Sequence, residues 1–149
     1  MKYRLLLIVV SLLIFGISLS QDAYVCNDFD GQKAHSAILV FLMGSTAMLG
    51  GGILEWLIWL ANPIYAIAIF KFLIGKDSLK YSIIASIISV SFIFWNKILV
   101  SESGRTAEIF SLELGYWLWV LSIIIFCLGN IFFYFKAKPL LSDSSNDYV

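Results

Sequence analysis

Glu55, Trp59 and Asn62 stand at i, i+4 and i+7, a spacing that puts a carboxyl, an indole N–H and an amide on one face of a helix. Glu55 lies inside an apolar run, where an ionised side chain is costly unless paired or hydrated and marks a functional candidate. Two chemistries follow. The trio lines an outward-facing polar pocket for a small ligand, a cation or a proton; alternatively, Glu55 sits at headgroup level and caps backbone freed by Gly50, Gly51 and Gly52.

A second grouping, His35 with Asp28 and Asp30, contains suitable metal ligands. One histidine in an acidic stretch reads first as a solvated loop, so no metal is expected. Cys26 and Cys127 share no C-x-x-C or metal-like spacing with each other or with His35. Their depths differ too much for a disulfide, and Cys26 reads as an ordinary loop thiol. No phosphate-binding loop, G-x-S-x-G or H-E-x-x-H occurs, so neither catalytic residue nor cofactor is expected.

The elements that position these groups follow from composition. Of 149 residues, 60% are hydrophobic and 13% charged, with a mean hydropathy of +0.91. Soluble domains carry about 25% charged residues, so the chain is read as a membrane protein with the lipid bilayer as its surroundings. Ten basic side chains balance ten acidic ones, and without a basic face no nucleic acid is expected as a partner.

The fold class predicted is all-α: a polytopic membrane bundle of four transmembrane helices plus one re-entrant or interfacial helix, forming a single membrane-embedded domain over 1–138. Crossings are placed at about 4–20, 53–74, 80–98 and 114–135, the re-entrant helix at 36–49, and a disordered cytoplasmic tail at 139–149. The first apolar block ends in Ser18-Leu19-Ser20, which would also suit a signal peptide cleaved after Ser20. An uncleaved anchor is preferred because everything downstream is membrane-embedded. The stretches 21–35 and 101–113 are read as polar loops. The run 36–74 is too long for one straight helix and is broken at the three glycines and at Asn62-Pro63.

Charge sets the crossing number. With four crossings, Lys2, Arg4, Lys71, Lys76, Lys80, Lys136 and Lys138 face the cytoplasm, and Lys33, Lys97 and Arg105 face outward. The C-terminus is then cytoplasmic. Trp56, Trp59, Trp95, Trp117 and Trp119 fall at the outer ends of their segments as an aromatic belt. The glycines at 50–52 should pack inside the bundle or line a wet hollow. Ser82, Ala85, Ser86 and Ser89 form a small-residue face, read as intramolecular packing with a homo-oligomer seam as the alternative.

Trp59-Leu60-Ala61-Asn62-Pro63 and Gly115-Tyr116-Trp117-Leu118-Trp119 resemble motifs of a group of small uncharacterised bacterial inner-membrane proteins. The resemblance implies a bacterial plasma-membrane location and supplies no catalytic residue. The triple-glycine break and the richness in Ile, Phe and Lys depart from that pattern.

The leading expectation is a non-enzymatic accessory or interaction protein whose aromatic and acidic outer face meets a protein partner or small ligand. Its rival is a small oligomeric transporter or channel using Glu55 as a proton or cation site. A membrane immunity protein is the third reading, on size and location alone.

Overall fold

The computed structural model describes residues 2–28, 31–101 and 104–143, with side chains through residue 136. Helix α1 (Lys2–Leu19) leads into a hairpin of β1 (Asp22–Asp28) and β2 (Gly31–Ser36). Helix α2 (Ala37–Gly44), a 3-10 turn (Ala47–Gly50), α3 (Ile53–Trp59) and α4 (Ala61–Leu73) follow. Helix α5 (Leu79–Ser91) continues into a 3-10 turn at Phe92–Phe94, then come β3 (Lys97–Leu99), β4 (Thr106–Leu112) and α6 (Leu114–Asp143).

Among the described residues three helical stretches are long and apolar enough to cross a membrane: Lys2–Leu19, Ile53–Leu73 and Leu114–Lys136. Leu79–Phe94 is a shorter apolar helix, about 24 Å long at 1.5 Å per residue. The segment predicted to cross at 80–98 is therefore cut short, its last residues leaving the helix to become β3. Tail residues 144–149 lie outside the described residues, and the α6 backbone runs to Asp143.

The all-α expectation is overturned by a four-stranded antiparallel sheet, ordered β2-β1-β4-β3, built from the two stretches read as polar loops and from the end of the segment predicted to cross at 80–98. Alternation explains the strands. In β4, Ala107 and Ile109 turn inward while Glu108 and Phe110 turn out; in β1, Tyr24 and Cys26 are buried on either side of the half-exposed Val25. Each strand is too short and too polar overall to advertise this face alone. The pairing of β1 with β4 joins Cys26 to Ile109 across more than eighty residues of chain, a contact that local pattern cannot reveal.

The long helices run alternately up and down. Leu7 meets Gly129, Ser11 meets Ser122 and Asp22 meets Gly115, so α1 and α6 are antiparallel. Ser78 and Ser82 meet Asn130 while the Ser89 carbonyl accepts from the Tyr116 hydroxyl, so α5 is antiparallel to α6 as well. One end of the bundle thus carries the sheet, and the other carries Lys2, Arg4, Lys71, Lys76 and Lys80. Leucine, isoleucine and phenylalanine side chains cover the outward helix faces, while Ser11, Ser18, Ser82, Ser89, Ser122 and Asn130 are buried. That inversion suits apolar surroundings, where small residues let helices approach closely and hydroxyls bond across them. Every buried side-chain N or O atom among the described residues has a hydrogen-bond partner. Ser82, Ala85 and Ser89 are fully buried within this one chain, so that face serves packing against α6.

Candidate functional site

Pro63 has no N–H to give the Trp59 carbonyl four residues earlier. The neighbouring Asn62 side chain supplies the missing donor, its Nδ2 reaching Trp59 O at 3.0 Å. The helix therefore passes Leu60 almost unbroken, with Pro63 tolerated in the first turn of α4. The other end of the amide faces α6, where Asn62 Oδ1 accepts from Trp119 Nε1 at 2.8 Å. The Trp59 indole donates to the Phe41 carbonyl of α2 at 2.7 Å. Glu55 does not cap the glycine backbone; Oε1 accepts the Leu99 N–H of edge strand β3 at 2.8 Å, tying α3 to the sheet.

These three side chains line one cavity of about 850 Å³ at the sheet end. Its floor is the start of α6 with Tyr116 and Trp119, one wall is sheet residues including Tyr24 and His35, and the facing wall is α2 with the 3-10 turn after it. Gly50 and Gly52 belong to that wall. A Cβ on Gly52 would stand 3.1 Å from Glu55 Oε2 and 3.2 Å from the Ala47 carbonyl, so the bare backbone makes room for the carboxylate. Gly51 carries a φ of +88°, a left-handed conformation that glycine adopts without a Cβ penalty, and it turns the chain from the 3-10 turn into α3. Gly44 has no space at all: a Cβ there would fall 2.5 Å from Trp59 Cδ1, so α2 lies directly on the indole.

The tryptophans all fall at the sheet end, but they divide by direction. Trp59 and Trp119 turn inward to the cavity, Trp95 packs on Phe92 with ring centres 5.4 Å apart, and Trp117 stays largely exposed. The belt expected at headgroup level is in part a cavity wall.

One pair was invisible in the sequence. Cys26 Sγ and His35 Nε2 share a hydrogen bond of 3.2 Å, and the His35 ring stacks on Tyr24 at 4.9 Å. The β1–β2 register sets Tyr24 opposite His35 and Cys26 opposite Lys33, making the thiol and imidazole diagonal neighbours. Asp28 is drawn away to a two-point ion pair with Arg105, at 3.1 and 3.2 Å. Asp30 and Glu102 lie outside the described residues, and among those described no group of three metal-ligating side chains comes together. Cys26 and Cys127 are both free and buried.

Burial, and then the Lys33 charge, hold the His35 imidazole below its usual range, against a smaller pull from Asp28. Burial, followed by the Asp28 charge, pushes the Cys26 thiol up. The pair therefore rests as neutral thiol and neutral imidazole near pH 7, and stability should respond at both edges. As pH falls below about 6.5 the unfolded chain protonates His35 before the folded chain does, so stability is lost with acidification down to the lowered folded value. Above about 8.5 the unfolded chain releases the Cys26 proton first, so stability falls as pH rises. Unfolding in dodecyl maltoside across this range should show a plateau between the two values. Cys26→Ser should remove the alkaline limb and His35→Gln should flatten the acid limb that begins below about pH 6.5; unchanged limbs in both variants would refute the assignment.

The chain matches no protein-family model, no curated protein and no solved structure.

Proposed function

We propose that this chain is a non-enzymatic multi-pass protein of the bacterial plasma membrane whose sheet-side cavity binds an apolar or amphipathic small molecule drawn from the bilayer. The observation that carries the reading is the rim. Leu39, Met43 and Leu49 line the cavity and are also 56%, 64% and 85% exposed, so the way in passes over apolar side chains. A molecule arriving from water would meet a desolvating edge; one arriving from lipid would meet its like.

The orientation proposed puts the sheet outside and the C-terminus in the cytoplasm. Its support is the collection of Lys2, Arg4, Lys71, Lys76 and Lys80 at the opposite end, against Lys33, Lys97 and Arg105 beside the sheet. Binding is favoured over transport because the bundle is filled beneath the cavity. Ala61, Ala68, Ile123 and Phe126 have no exposed surface, and the polar groups at that depth, Ser11, Tyr65 and Ser122, are bonded to one another. An acyl-transfer reading of Cys26 and His35 has less support, since the thiol has 0% exposure.

The test is photolabelling with a diazirine-bearing fatty alcohol in phosphatidylethanolamine–phosphatidylglycerol vesicles, followed by peptide mapping. Adducts should concentrate on Val40 and Ile58 relative to the outward-facing Leu13 and Leu128. Ile58→Trp or Val40→Phe, each filling the space, should abolish the lining adducts and spare the outer ones. Even labelling of all four positions, or lining adducts that survive both substitutions, would overturn the proposal.

A further inference from the structure

The cavity's charge is one-sided. Among the described residues Glu55 is the only aspartate or glutamate in its lining, which contains no lysine and no arginine. His35, the remaining titratable base there, is held below its usual range by burial and by Lys33 and stays neutral at pH 7. Tyr24, Trp59, Tyr116 and Trp119 line the same cavity as the carboxylate. Aromatic faces are electron-rich and attract cations, most strongly where water is thin.

The carboxylate is held but not consumed. A carboxylate has about four acceptor positions, and Leu99 N–H occupies one on Oε1. Gly52, lacking a side chain, makes room for Oε2, which an added Cβ would approach to 3.1 Å. Glu55 also helps keep the Tyr24 phenol protonated, after burial and Cys26 have acted, which places its charge within electrostatic reach of the sheet wall. An anionic headgroup would meet this carboxylate with no lysine or arginine beside it among the described lining residues, and the repulsion would be only weakly screened.

Resting on the cavity reading above, we infer that the preferred occupant is a cationic amphiphile: an alkyl chain over the apolar rim, with an amine or quaternary ammonium between Glu55 and the aromatic faces. The cation's hydration shell is replaced by a fixed carboxylate and ring faces rather than lost outright. The alkyl chain leaves one apolar medium for another, so the headgroup carries the selectivity.

The experiment is competition against the diazirine fatty alcohol in phosphatidylcholine vesicles, whose zwitterionic surface gives no advantage to either sign of charge. Dodecyltrimethylammonium, dodecyl sulfate and dodecanol are compared at equal bilayer-bound concentration. The trimethylammonium should displace the label from Ile58 at concentrations about tenfold lower than dodecanol, with dodecyl sulfate weakest. Glu55→Gln keeps an oxygen to accept the Leu99 N–H and removes the charge. In that variant the cation's advantage over dodecanol, with both competitors measured on the variant itself, should shrink to less than about threefold. Equal competition by all three, or a cation advantage that persists in Glu55→Gln, would overturn the inference and leave the cavity reading standing. Absence of lining adducts before any competitor is added would remove the cavity reading and this inference with it.

Discussion

Alanine at Gly115 should cost about 3 kcal/mol of stability, the upper end of what overpacking usually costs. Its Cβ would fall 2.6 Å from the Asp22 carbonyl oxygen, 3.0 Å from the carbonyl carbon and 3.1 Å from the Ala37 Cβ. Two of these are backbone atoms of β1, whose position is fixed by pairing with both β2 and β4. Nothing at that point yields without moving the sheet off the first turn of α6. Gly129 on the same helix supplies the control. A Cβ there would come within 2.3 Å of Leu7 Cδ2, but that atom ends a flexible, partly exposed side chain of α1 and can rotate away. Unfolding of both variants in mixed dodecyl sulfate and dodecyl maltoside micelles should place Gly115→Ala well below Gly129→Ala. The reverse order, or a Gly115→Ala loss under about 1 kcal/mol, would mean that α6 and β1 are not packed backbone to backbone. Because Gly115 also lines the cavity, the same variant should weaken labelling of Ile58.

The helices were legible and the sheet was not, for physical reasons that differ. A span of apolar residues announces itself because every residue in it must tolerate lipid, and 53–74 was placed within a residue of Ile53–Leu73. The 36–49 segment, read as one re-entrant helix, is instead a short α2 (Ala37–Gly44) followed by a 3-10 turn (Ala47–Gly50), so its α-helix ends before the three glycines are reached. Strands need partners. Asp22–Asp28 and Thr106–Leu112 each hold only a few inward residues, and their burial exists only once they pair with each other. Glu55, Trp59 and Asn62 were brought together by helical spacing alone, yet their hydrogen bonds go to Leu99, Phe41 and Trp119. These are tertiary partners that no local spacing names. Asn62 carried a signal that was available: beside proline, a side-chain amide is placed to replace the lost backbone donor. Cys26 and His35 carried none, because a diagonal contact depends on hairpin register.

Phe126→Ala should be the most damaging side-chain truncation within the bundle, at about 2–3 kcal/mol. The ring has 0% exposure and meets Tyr65 and Phe72 edge-on, with centroids 5.6 and 5.5 Å away. In a water-soluble core such a truncation costs about 3–5 kcal/mol, combining lost transfer energy with the void left behind. Against a bilayer the transfer part largely disappears, because lipid tails are as apolar as the ring, and lost packing remains. The same variant bears on transport. Phe126 and Ile123 fill the axis between the cavity and the basic end, so any conducting route must pass through their volume. Wild-type vesicles should show no proton or potassium flux above protein-free vesicles, and Phe126→Ala should lose stability while Ile58 labelling persists. Flux in the wild-type chain that vanished in Glu55→Gln would restore the transporter reading. A stability loss under about 1 kcal/mol would mean that α4 and α6 do not close on this ring, and the filled axis on which binding was preferred over transport would have to be abandoned.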